Sequence, residues 1–188
     1  MSNEREQIAQ AAAALIVESG IADWQFARRK AARQLGLGER AVLPDRTQLE
    51  AALREYAALY LADEQPELLG DLRAEALEWM EKLEEFDPEL SGPVAEGWAY
   101  PGCELRLELL ADDAKVVEIA LLNRGIDVAH LPKQGPGTGP VSLHVDGCSG
   151  PVRLVVQDVG QRRNRKHDRV RKKTSALRAL IGKSQAGP

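Results

Sequence analysis

Aromatic residues are scarce, at 4% of 188 residues, with three Trp, three Tyr and two Phe. A core must therefore be assembled mainly from Leu, Val, Ile and Ala, with Trp24, Trp79 and Trp98 as isolated large fillers. Cysteine is nearly absent: Cys103 and Cys148 lack the paired CxxC spacing of a zinc site, and two thiols make no disulfide framework. They read as reduced, partly buried thiols. No stretch approaches the ~20 consecutive apolar residues that span a bilayer, and the chain opens on polar SNEREQ rather than a signal region. The expectation is a cytoplasmic protein with no membrane partner. A hydrophobic content of 44% is enough for a real core.

The formal net charge of −4 conceals an uneven distribution, because the middle helices are acidic while basic residues crowd the end. In the first half, Asn3 and Glu6 have capping-box spacing, Ile8, Ala11, Ala12, Leu15 and Ile16 follow the helical period, and Gly20 supplies a left-handed stop. A second amphipathic pattern from Asp23 to Leu35 points Trp24, Ala27, Ala31 and Leu35 inward, carries Arg28, Arg29, Lys30 and Arg33 outward, and ends at Gly36. After a connector reaching Pro44, a third helix is expected from Thr47 to Ala62, with Leu49, Leu53, Tyr56 and Tyr60 along one stripe. Pro66 opens a fourth, burying Leu69, Leu72, Ala76, Trp79, Met80 and Leu83 and turning Glu75, Glu78, Glu81, Glu84 and Glu85 mostly to water. Asp87 and Pro88 end it.

From there the period changes from 3.6 to 2. Glu104, Arg106 and Glu108 alternate with Leu105, Leu107 and Leu109, which reads as a strand with one buried and one polar face. A helix follows, with Asp112 and Asp113 at its positive end, Val116, Val117, Ile119, Ala120 and Leu121 within it, and Gly125 closing it. Ile126 to Leu131, Val141 to Val145 and Val152 to Val156 supply further strands. The glycines of LPKQGPGTGP make a hairpin or crossover loop rather than a phosphate loop, since Pro136 and Pro140 remove NH groups and no Gly-Lys-Ser/Thr follows. His130, His144 and Asp146 share no spacing motif and read as packing or turn residues.

The order of glycine turn, alternating strand, capped helix and further strands, carried by SGPVAEGWAYPGCELRLELLADDAKVVEIALLNRGI, resembles the core of the nucleotidyltransferase superfamily. More narrowly it resembles a proteobacterial group with a helical N-terminal region. The resemblance implies a Gly-Ser turn for phosphate and clustered carboxylates that hold metal ions against a triphosphate. Here Gly92 matches the glycine, but Pro93 stands at the serine. Glu104 can replace the first carboxylate, whereas Arg106 puts a cation at the second and Arg153 is the expected occupant of the third. The resemblance thus implies a catalytically degenerate core. Two readings of the strand stand side by side: an exposed face of neighbouring opposite charges, or an anion receptor in which Arg106 and Arg153 occupy former metal positions.

The densest charge run is RRNRKHDRVRKK, eight Lys or Arg against one Asp. Arg162, Arg163, Arg165, Lys166, Arg169, Arg171, Lys172 and Lys173 are candidate contacts to nucleic-acid phosphates, against the plainer reading of a solvated linker. Thr174 then caps a closing helix through Leu177, Leu180 and Ile181. The expected fold is α+β: helices over 1–88, a small nucleotidyltransferase-like mixed-sheet domain with packed helices over 89–160, and the basic segment with its helix over 161–188. The expected function is binding of a nucleotide, a nucleic acid or a protein, through Gly92, Glu104, Arg106 and Arg153, with no catalytic residue and no cofactor. An active transferase is the second reading, requiring magnesium at an atypical site built on Glu104 with Glu108, Asp112 or Asp113. A third starts from AAAALIVESGIADWQFARRKAARQLGL, which resembles the first two helices of TetR-type DNA-binding regulators, although GERAVLP replaces their short third helix.

Overall fold

The computed structural model describes residues 2–38, 40–130, 140–160 and 170–185. Among these the architecture is α+β, with seven α-helices and a six-stranded mixed sheet. By contact the chain divides into two compact units, one of residues 1–68 with 98–102, the other of 69–97 with 103–188. The division falls inside the fourth helix, after Leu68, and not at the change of sequence period near Pro88.

In the first unit, α1 (Ser2–Ser19) packs against α2 (Trp24–Gln34) and α3 (Arg46–Tyr60). Ile8, Ala9, Ala12, Ala13 and Ile16 of α1, the small residues Ala27, Ala31 and Ala32 of α2, and the α3 stripe Leu49, Ala52, Leu53 and Ala57 are all buried. Asn3 lies within α1 and is not its cap. The reciprocal capping box forms instead at α3, between Asp45 and Gln48, while Asp23 caps α2 by accepting from the NH groups of Gln25 and Phe26. Two expected core residues are exposed, Leu35 at 43% and Tyr60 at 68%: Leu35 follows the last turn of α2, and Tyr60 ends α3. The segment 98–102 is held by the side-chain amide of Gln65, which accepts from the Ala99 NH at 2.9 Å and donates to its carbonyl at 2.7 Å.

α4 (Gln65–Lys82) continues into the second unit, where α5 (Pro93–Glu96), α6 (Ala114–Leu122) and α7 (Thr174–Gln185) accompany the sheet. The strands are β1 (Glu89–Ser91), β2 (Leu105–Leu110), β3 (Ala129–His130), β4 (Val141–Asp146), β5 (Pro151–Gln157) and β6 (Arg171–Lys173), in the order β3-β4-β5-β2-β1-β6. Only the central pair β2 and β5 is parallel. Leu105, Leu107, Leu109, Leu143, Val145, Val152, Leu154, Val156 and Leu90 form the buried apolar face. The β2 pattern is not one-sided, however: Glu108 on the other face is 1% exposed, as befits a central parallel strand enclosed on both sides.

Glu75, expected in water on the acidic face of α4, is 8% exposed. Its carboxylate accepts from the NH groups of Cys148 at 2.6 Å and Ser149 at 2.9 Å, in the turn joining β4 to β5. A side chain on Gly147 would collide with Glu75 Oε1 and come within 2.7 Å of the Gly150 carbonyl, so this turn admits only glycine there. Of the two free thiols, Cys103 is buried and Cys148 exposed. α6 ends at the left-handed Gly125 as expected, but the strand foreseen from Ile126 is reduced to Ala129–His130. The closing helix buries Leu177, and its Arg178 pairs with Glu81 at 2.6 Å. Most of LPKQGPGTGP, 131–139, lies outside the described residues.

Candidate anion-binding site

Strand register assembles a row of polar residues across the sheet. His144 on β4 pairs with Arg153 on β5, Arg153 with Arg106 on β2, Arg106 with Ser91 on β1, and Ser91 with Arg171 on β6. Registered residues of neighbouring strands point to the same face, so all five project from one side at steps of about 4.8 Å. Arg106 and Arg153, forty-seven positions apart in sequence, are immediate neighbours. The row was illegible in the sequence because the β2–β5 pairing is parallel and long-range.

Each side chain is held differently. Arg153 donates from Nε and Nη2 to Ser142 Oγ, at 3.2 and 3.1 Å, which fixes the plane of its guanidinium. Glu104, immediately before β2, lies between two partners: Oε1 is 3.9 Å from Arg153 Nη1 and Oε2 is 4.0 Å from His144 Nε2. Both separations exceed hydrogen-bond length, and with side chains 18 to 28% exposed such contacts contribute at most about 1 kcal/mol each. His144 Nε2 is buried without a hydrogen bond. Desolvation, aided by the Arg153 charge and opposed by Glu104, lowers the His144 pKa below its ordinary 6.5.

Further along β2 the second carboxylate is already paired. Glu108 Oε2 accepts from Arg171 Nε at 2.8 Å and from Gln157 Nε2 at 2.9 Å, with the Glu108 side chain 2% exposed. Arg171 therefore neutralises Glu108 before it can serve an external ligand. Gly92 has φ +77°, a conformation that disfavours side chains, and turns the chain from β1 into Pro93, the first residue of α5. The stem of Arg106 packs against this turn, since a Cβ on Gly92 would lie 3.7 Å from Arg106 Cβ. Ser91, just before it, donates to the Arg106 carbonyl at 3.4 Å.

The four residues singled out, Gly92 after β1, Glu104 before β2, Arg106 on β2 and Arg153 on β5, thus come together. The reading of Glu104, Arg106 and Glu108 as an exposed face gives way to a half-buried cluster, with Glu108 interior. The end of the basic run, Arg171 to Lys173, is strand β6 and not a linker, because the short β1 offers it a pairing edge. Arg171 joins the row, while Lys172 projects from the opposite face by alternation. Arg162, Arg163, Arg165, Lys166 and Arg169 lie outside the described residues. Ser142 and His144 were missed; their alternation Ser-His-Asp along β4 was visible, but not their pairing with β5. Among the described residues, no three His, Cys, Asp or Glu group so as to hold a metal ion. No protein-family model, curated protein or solved structure matches the chain.

Proposed function

We propose that this protein binds a phosphate-bearing ligand, a nucleotide in the first instance, on the Arg106 and Arg153 pair, without catalysis and without a metal. The observation that carries this reading is their direct registration on adjacent parallel strands. Like charges directly opposite one another weaken a sheet. Such a pair is a poor choice for stability. It suits a tetrahedral oxyanion, which can bridge two planar guanidinium groups through several charge-assisted hydrogen bonds.

The resemblance to a nucleotidyltransferase core supports the same assignment. The glycine turn lies against Arg106, and Glu104, just before β2, with Arg106 and Arg153 on neighbouring strands, are the residues the resemblance assigns to the metal-carboxylate positions. With arginine at two of these positions, a divalent ion would meet repulsion where it needs ligands, so the residues present do not fit a metal pair. The remaining carboxylate, Glu104, already faces Arg153 and His144.

Binding shifts the unfolding midpoint by mass action. Thermal unfolding against mono-, di- and triphosphate nucleosides, with and without magnesium, is expected to show stabilisation that magnesium does not enhance. Arg106→Ala and Arg153→Ala should each weaken it tenfold or more, the loss of one charge-assisted contact. Stabilisation that requires magnesium and vanishes in Glu104→Ala would replace this reading with a metal-dependent transferase.

A further inference from the structure

We propose that His144 sets the strength of this receptor by competing with Arg153 for Glu104, so that anions bind more tightly in mildly acidic solution than in neutral solution. The inference rests on the receptor reading above and adds its regulation.

Glu104 is the only carboxylate that an ion-pair contact places beside Arg153 among the described residues, and it is poised rather than bound. Its two oxygens face Arg153 Nη1 and His144 Nε2 at nearly equal distances, 3.9 and 4.0 Å, and reach neither. While the imidazole is neutral, the carboxylate screens Arg153 and repels any incoming anion. An imidazolium would hold Glu104 by a charged hydrogen bond over a shift of about 1 Å, since such bonds close at about 2.7–2.9 Å. Arg153 keeps its plane throughout, because Ser142 holds it from the other side. Protonation therefore adds one positive charge to the face and removes the internal competitor from the guanidinium.

The surroundings of His144 are simple. Arg153 faces it from β5 and Glu104 from the approach to β2; its partner on β3, Ala129, is uncharged, and on its own strand Ser142 and Asp146 flank it on the same face. Its buried Nε2 has no hydrogen bond to lose on protonation. Desolvation keeps the imidazole neutral at neutral pH, so the change in charge falls below the ordinary 6.5. By linkage, a bound anion must raise the proton affinity of His144 by the factor that protonation raises anion affinity.

Sulfate is the appropriate probe because, unlike phosphate, it keeps its double charge throughout. Sulfate binding to the full chain would be measured by calorimetry at constant ionic strength from about pH 7.5 to about 5.5, bracketing the ordinary imidazole value of about 6.5. The expected result is affinity rising severalfold on acidification, by no more than about tenfold per pH unit for one linked proton. His144→Gln should bind sulfate with a flat pH profile. The His144 ring-proton resonance, assigned by its loss in that variant, should titrate at higher pH when sulfate is present. Sulfate binding in the wild type that ignores pH would overturn the inference and leave the receptor standing. The same would follow if His144→Gln kept the wild-type slope. Absence of sulfate binding at every pH would overturn the receptor as well.

Discussion

At the residue scale, three titratable groups of the second unit lie at three depths, and each has a different consequence. Glu108 is the deepest, paired with Arg171 and bonded to Gln157. Truncating one partner of a buried ion pair strands the other, so Glu108→Ala should lose about 3–5 kcal/mol in urea unfolding, and Glu108→Gln distinctly less. Glu75 is next, and its two bonds to turn NH groups make Glu75→Ala cost about 1–3 kcal/mol, with faster hydrogen exchange at Cys148 and Ser149 as the local signature. His144 is shallowest. Its folded pKa lies below its unfolded value of 6.5, so the unfolded chain binds the proton first. The stability that this neutral imidazole contributes is fully present above 6.5 and is lost as pH falls through 6.5 toward the folded value. In the first unit the sign reverses for Tyr56, whose hydroxyl donates to Glu18 at 2.5 Å and whose pKa is raised to about 12. Its contribution is complete below pH 10 and lost as pH rises through about 12; Glu18→Gln should return the absorbance titration toward 10.

At the element scale, the sequence was informative wherever one element decided the outcome alone. Four N-terminal helices, the alternating β2, the Asp113 cap of α6 and the Gly125 stop were legible because period and cap chemistry are local. What was lost depended on partners far along the chain. Glu108 looked like a solvent-facing strand residue because Arg171 lies 63 positions away, and Glu75 looked like helix surface because Cys148 lies 73 away. β1 and β6, of three residues each, carry too little pattern to be read; β1 is held between β2 and β6, and β6 pairs with β1. The Asn3 and Glu6 spacing misled for the opposite reason, since a motif match cannot tell a cap from a first turn. The true box at α3 gives a check: Asp45→Ala should cost about 0.5–2 kcal/mol, read from the urea midpoint.

At the scale of the whole molecule, a net charge of −4 would predict indifference to anions. Placement matters more than the total, because the sheet register collects Arg153, Arg106 and Arg171 on one face while acidic residues such as Glu78, Glu81, Glu84 and Glu85 lie elsewhere, on α4 and just beyond it. Arg171 is paired with Glu108, and the proposed receptor is built on Arg106 and Arg153. The most direct measurement is calorimetric titration of a nucleoside triphosphate, with magnesium removed by a chelator, into the wild-type chain and the Arg106→Ala/Arg153→Ala double variant, with folding of both checked by circular dichroism. Metal-independent binding to the wild type that is lost in a folded double variant is the predicted result. Equal affinity for both proteins would contradict the assignment of this face as the ligand site.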